Sequence, residues 1–303
     1  MPKPDDSALS ERQRQRIRQE AFKALTQADA IGVFPTPIDR IMAVSKVELA
    51  REDLADETLL RSFRSRAKGA IKRAVEKIRG VVDIVARIVY LDQALHKAQL
   101  PFLKLHETAH AVLPWQKDLY AVTEDCGMTL DPEIAEAFER EASNFATEVM
   151  FQGDAFQSEA ADYKFGIRAP LGLAKTYGSS VYMAVRRYVS THHRACGVLV
   201  LEMPEVDQEF GFRCELRRFV SSPSFDTQFG SLYWPGFFTP SDEVGAAVPA
   251  TGKRMSGIRK IGLVDRNGAT HECVAEAFTT TKQVFILIHS QKTLTTTRVI
   301  AIM

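Results

Sequence analysis

The stretch Leu103–Val112, LKLHETAHAV, sets two histidines four positions apart, with a glutamate directly after the first. On an α-helix, positions i and i+4 are separated by about 40° of rotation and stack one turn apart. His106 and His110 can therefore present imidazole nitrogens to one metal ion. Glu107 is rotated about 100° further and can reach a water on that ion rather than the ion itself. Two ligands and a general base on one rigid scaffold are the mechanical content of the HExxH pattern. The competing reading is two ordinary histidines, one packed and one exposed.

The context favours the helix. Pro101 sits where a helix would start and Pro114 where it would stop, and Phe102, Leu105, Ala109 and Leu113 supply apolar positions to bury it. A catalytic zinc needs a third protein ligand and an open fourth position. Asp131-Pro132 is an N-cap and N1 pair for a helix over 132–151, which carries Glu136, Glu139, Glu141 and Glu148. Ala137, Ala142, Ser143 and Ala146 are small enough for close approach to the first helix. Phe138, Phe145 and Val149 make a core-facing stripe. Glu139 and Glu141 point about 200° apart, so at most one faces the metal, and spacing does not choose between them.

Around this pair, residues 8–29 read as a helix with Ala21, Phe22, Leu25 and Ala28 inward. Thr36 and Pro37 read as N-cap and N1 of a short helix. A basic helix is expected over 57–79 and a strand over 81–92. The stretch 114–131 reads as irregular, and two further helices are expected at 169–176 and 179–192. From Cys196 onward, CGVLVLEM, GFRCELRRFV, QVFILIHS and TTRVIAIM are strand-like. The fold class expected is α+β: a mainly helical, zincin-like N-terminal domain with a small sheet over residues 1–195, then a β-rich domain over 196–303.

Composition is that of a water-soluble globular chain. Apolar residues make up 45% and charged residues 25%, and the net charge of +1 points to neither a nucleic-acid binder nor a strongly acidic surface. The basic run at 61–79 offers a contact for nucleic acid or an acidic partner, or simply a solvated helix face. Cys126, Cys196, Cys214 and Cys273 form no CxxC pair, which suits a reducing compartment. Cys126 lies between the two ligand helices, where the bland reading is a small buried residue. A charged N-terminus and no run of eighteen apolar residues predict a cytoplasmic protein with no membrane span.

HETAH at 106–110, followed some thirty residues later by Glu139-Arg-Glu-Ala142-Ser-Asn-Phe145-Ala146, resembles the ImmA/IrrE family of bacterial zinc metallopeptidases and its E-x-x-A-N-x-F-A signature. GVFPTPIDRIMAVSKVEL (32–49), ARIVYLDQALHKAQLPFLKLHETAH (86–110) and LAKTYGSSVYMAVRRYV (173–189) resemble further parts of that family, so the similarity covers roughly residues 15–192. The resemblance implies zinc held by His106, His110 and Glu139, with Glu141 as the fallback, and Glu107 as the base. Ser143 stands where the family usually has Asn or Asp, and EVMFQ replaces its usual LLMP ending.

The chemistry implied is metal-assisted hydrolysis of a peptide bond. Tyr163, Tyr177, Tyr182, His192 and His193 are candidate oxyanion donors, which the sequence does not rank. The family resemblance implies a protein substrate, a transcriptional repressor or other DNA-binding regulator, in stress response or mobile-element control. The β-rich tail then serves as sensor or docking module. A defence-associated protease acting on another host protein would share this chemistry. A rival reading from another class is a DNA-binding regulator with a structural or silent metal site, drawing on a helix-turn-helix at 173–189.

Overall fold

A computed structural model describes residues 9–53, 80–119 and 131–290. The expected helix at 57–79, the final strand TTRVIAIM and Cys126 lie outside the described residues. The chain mixes helix and strand, and it divides into two compact units. One holds the described residues up to 158 together with 173–180; the other holds 159–172 and the residues from 181 on.

In the first unit, helix α1 (Glu11–Gln27) opens on a capping box. The Ser10 hydroxyl accepts from Gln13 N, and the Gln13 side chain accepts from Ser10 N. Its inner face is Ile17, Ala21, Ala24 and Leu25, while Phe22 is 60% exposed, one position off the inward stripe expected. Helix α2 (Ile38–Val44) starts after Pro37. Thr36 does not cap it: its hydroxyl donates instead to the carbonyls of Val149 and Met150 at the end of a distant helix.

The strand expected over 81–92 is a hairpin of two short strands, β2 (Gly80–Asp83) and β3 (Ile88–Leu91), paired antiparallel. Asp83 Oδ1 accepts from Ala86 N across the turn, and Arg87 takes a left-handed φ of 57°. Its guanidinium donates to the carbonyls of Ser45 and Lys46, which holds the uncommon conformation in place. β1 (Glu48–Leu49) adds parallel to β3, giving the order β1-β3-β2.

Helix α3 (Leu100–Val112) carries HETAH, with Pro101 in its first turn and an extended Leu113 closing it. The chain then turns into a second helical segment, residues 114–119, where the sequence reads as irregular. Helix α4 (Pro132–Phe151) is capped by Asp131, whose carboxylate accepts from Glu133 N at 2.8 Å. It ends on Gln152 with φ 49° and Gly153 with φ 62°. The Gln152 amide donates to Ala30 O and Val33 O and accepts from Gly32 N, pinning the loop before α2 to the end of α4.

α4 packs on both α1 and α3. Leu105, Ala109, Ala142, Phe145, Ala146 and Val149 are fully buried at these contacts. Burying each large apolar side chain stabilises the pair by roughly 1.5–3 kcal/mol. The small residues of α4 let the two backbones come close, and that closeness sets the reach of the polar side chains between them.

The second unit is built on an antiparallel sheet. Its strands are β4 (Cys196–Glu202), β5 (Glu205–Asp207), β6 (Gly211–Ser221), β7 (Phe237–Phe238), β8 (Arg259–Val264), β9 (Thr270–Thr279) and β10 (Gln283–Ser290), in the order β5-β6-β4-β10-β9-β8, with β7 on β6. β4 and β10 are central and apolar on both faces, as CGVLVLEM and QVFILIHS suggest. Helix α7 (Val181–Ser190) lies against β4 and β6, and α8 (Pro223–Phe229) is capped by Ser222. Two further helices, α5 (Ala155–Ala161) and α6 (Arg168–Thr176), lie on the stretches where the chain passes between units. Among the described residues no helix is long and apolar enough to cross a membrane.

Candidate metal centre

The close packing of α3 on α4 brings His106, His110 and Glu139 together, with one donor atom from each inside a 4.8 Å span. His106 Nε2 lies 3.0 Å from Glu139 Oε2, and His110 Nε2 lies 3.5 Å from Glu139 Oε1. The two imidazoles meet edge to face with centroids 5.1 Å apart. Ligands about 2.1 Å from a tetrahedral ion stand roughly 3.4 Å from one another. The carboxylate oxygens of Glu139 thus stand from the two imidazole nitrogens at separations near that value, with all three donor groups within 4.8 Å of one another. The histidines are buried, whereas the Glu139 side chain is 61% exposed. One side of the cluster therefore opens to solvent. Among the described residues this is the one group of three or more His, Cys, Asp or Glu that could hold a metal ion.

Glu141, the fallback ligand, faces elsewhere. Its Oε2 accepts from Trp115 Nε1 at 2.7 Å and from Gln116 Nε2 at 2.8 Å, and its Oε1 from Gln13 Nε2 at 3.4 Å. Glu136 is exposed and pairs with Arg140, and Glu148 pairs with Arg18 of α1. The choice that helical spacing leaves open between Glu139 and Glu141 is made by the neighbours: imidazoles around the first, amide and indole donors around the second.

Glu107 is buried beside the cluster. Loss of hydration raises its pKa to about 7; the nearby His106 works against that rise and Glu139 adds to it. Gly80, the first residue of β2, passes so close that a Cβ there would stand 2.7 Å from Glu107 Oε1. In sequence Gly80 reads as a strand boundary; in the fold it leaves room for the carboxyl group.

The histidines are held differently. Burial, and next the neighbouring His106, lower the His110 pKa to about 4, so its ring is neutral at pH 7. Burial also works to lower the His106 pKa, but the hydrogen bond to Glu139 and the carboxylates of Glu107 and Glu139 outweigh it, and the net shift is upward. Burial would raise the Glu139 pKa, yet the hydrogen bond to His106 and the two histidines bring it down overall. Behind the rings, Ser143 Oγ lies 3.3 Å from His106 Nδ1, and Gln116 Oε1 lies 2.8 Å from His110 Nδ1. Such outer partners orient metal-ligating histidines.

Trp115 and Gln116 carry no sequence signal at this level. Pro114 reads as a stop, although it is equally suited to the first turn of a new helical segment, and that second role is the one it takes. Of the candidate oxyanion donors, Tyr177 is 2% exposed and packed among Phe34, Phe151 and Phe156 in the core. Tyr163, Tyr182, His192 and His193 belong to the other unit.

No family model matches the chain, and no curated protein matches it. Among solved structures, a Mycobacterium tuberculosis transcriptional regulator is similar at a TM-score of 0.49 and 12% identity, over 92% of this chain and 80% of that one. A likeness at that level carries nothing about activity or ligand.

Proposed function

We propose that this chain is a zinc-dependent endopeptidase of the ImmA/IrrE type that hydrolyses a peptide bond in a protein substrate. The observation that carries this reading is the convergence of His106, His110 and Glu139 directly beside a buried Glu107 whose pKa stands near neutrality. Two neutral-nitrogen ligands and a carboxylate with a solvent-facing side are the donor set of a catalytic rather than a structural zinc site. A cation held by His106, His110 and Glu139 would supply Lewis acidity for polarising a carbonyl and acidifying a water. Glu107 is the residue that would accept the water's proton and pass it to the leaving amine. His106, His110 and Glu139 hold the reacting groups in place on two packed helices.

The catalytic role falls to residues 1–195, and the β-rich portion over 196–303 takes a sensing or substrate-docking role. A transcriptional repressor or other DNA-binding regulator is the proposed substrate class, in stress response or mobile-element control within the cytoplasm. Its support is the match of HETAH and the Glu139–Ala146 stretch to the family pattern. The rival, a DNA-binding regulator with a structural metal, needs a fourth protein ligand; among the described residues three converge.

The test pairs cleavage of candidate repressors by wild type and Glu107→Gln with metal analysis of both proteins. Loss of cleavage with zinc retained is expected. Normal cleavage by Glu107→Gln would remove the assigned base, and tight, specific DNA binding without proteolysis of any partner would favour the regulator.

A further inference from the structure

Gln116 sits between a candidate ligand and a buried carboxylate, and its amide has only one workable orientation. Its Nε2 lies 3.2 Å from Phe138 O and 2.8 Å from Glu141 Oε2. The first is a carbonyl and accepts only. The second oxygen already accepts from Trp115 Nε1 at 2.7 Å. Both amide hydrogens are thereby used, one on each acceptor. Turning the amide over would set its oxygen against these two acceptors, a buried repulsion with two hydrogen bonds lost.

Gln116 Oε1 therefore faces His110 Nδ1 at 2.8 Å, and an amide oxygen can only accept. We propose that Gln116 is a positioning residue that locks His110 in the tautomer with hydrogen on Nδ1, so that Nε2 presents its lone pair to the Glu139 side of the cluster. His106 is held the other way round: its Nε2 donates to the Glu139 carboxylate at 3.0 Å. Its Nδ1 meets the Ser143 hydroxyl at 3.3 Å, a group that donates or accepts equally well. The two histidines of HETAH thus differ: His110 has Nε2 without hydrogen before any cation arrives, whereas His106 carries hydrogen on Nε2 toward Glu139 and gives it up on binding.

The lock is anchored in depth. Glu141 and Gln116 are buried. Trp115, which shares the Glu141 oxygen, is covered on one ring face by the Arg16 guanidinium at 4.0 Å. Gln13, also from α1, reaches the other Glu141 oxygen. The N-terminal helix is in this way tied to the orientation of a single imidazole on α3.

The consequence for zinc rests on the reading of His110 as a ligand, while the tautomer itself does not. The full chain, metal-free and 15N-labelled at histidine, is examined by long-range 1H–15N correlation at pH 7.5. His110 is expected with Nδ1 protonated and Nε2 bare; finding the hydrogen on Nε2 overturns the proposal whatever any variant does. In Gln116→Met a mixture of tautomers is expected, with zinc affinity reduced about 10–100-fold in a chelator competition. A Gln116→Met protein that keeps both the single tautomer and the wild-type affinity contradicts the lock. Wild type with the Nδ1–H form but no zinc binding leaves the lock standing and sinks the metal reading instead.

Discussion

The chain holds two groups of histidines, and they are used in opposite ways. His106 and His110 in the first unit turn their Nε2 atoms toward one carboxylate, with side-chain oxygens behind each Nδ1. His192, His193 and His289 in the second unit are engaged mainly through their faces and edges. His192 stacks on His193 at 4.5 Å, and both His192 and His289 meet the Phe165 ring edge to face, at 4.7 and 4.8 Å. His192 Nδ1 accepts from Arg194 N, and His289 Nε2 lies 3.5 Å from Glu276. His110 and His192 both have their pKa lowered to about 4, each first by burial and then by a neighbouring histidine. A depressed histidine pKa therefore does not distinguish a ligand from a packed ring. Convergence of imidazole nitrogens on a shared carboxylate is what makes a group that could hold a metal ion.

The most severe way to probe that contrast is to remove the proposed proton carrier while leaving the proposed ligands. Glu107→Gln is expected to lower the cleavage rate by about 10²–10⁴-fold with zinc stoichiometry unchanged, read by product formation and elemental analysis. His289→Gln, by contrast, is expected to leave zinc stoichiometry unchanged because its nitrogens serve packing and a single carboxylate. Next in size is the outer layer. Glu141→Leu removes the anchor of Gln116 and is expected to weaken zinc binding about 10–100-fold without abolishing it. Gly80→Ala places a methyl against Glu107 Oε1 and should slow cleavage about tenfold with zinc affinity near wild type, since it displaces the proposed base and not a proposed ligand.

The smallest effect expected belongs to the second unit. The His192 pKa in the folded chain, about 4, lies below its ordinary value of 6.5. The unfolded chain therefore binds the proton more readily, and the stability associated with a neutral His192 is present above pH 6.5 and lost as pH falls toward 4. His192→Phe should remove that part of the acid sensitivity. Allowing for solvent around a half-buried ring, the gain at pH 4 is about 1 kcal/mol, measurable by urea unfolding at pH 7 and pH 4.

Much of the first unit is legible locally because its signals are local. Pro101, Pro114 and Asp131-Pro132 frame α3 and the start of α4 by fixed dihedrals and capping, and the structure starts and stops α3 and starts α4 within a residue or so of those marks. The small residues of α4 anticipate its close packing. What helical spacing leaves open is the choice between Glu139 and Glu141, because their difference lies in partners brought from elsewhere: Trp115 and Gln116 after Pro114, and Gln13 a further 128 positions away from Glu141. The β2–β3 turn escapes notice for a similar reason. It contains no Gly or Asn, and Arg87 holds its left-handed conformation through carbonyls of a segment some forty residues earlier. The order of the second unit's strands is likewise non-local, with β4 paired to β10 across more than eighty residues.

The most direct measurement is zinc binding to metal-free wild type, Glu139→Ala and Glu141→Ala, titrated side by side in competition with a chelator of known affinity. One tightly held zinc per wild-type chain is expected, lost or weakened more than a hundredfold in Glu139→Ala and weakened less in Glu141→Ala. Wild type without stoichiometric zinc, or an unchanged affinity in Glu139→Ala, would contradict the three-residue centre.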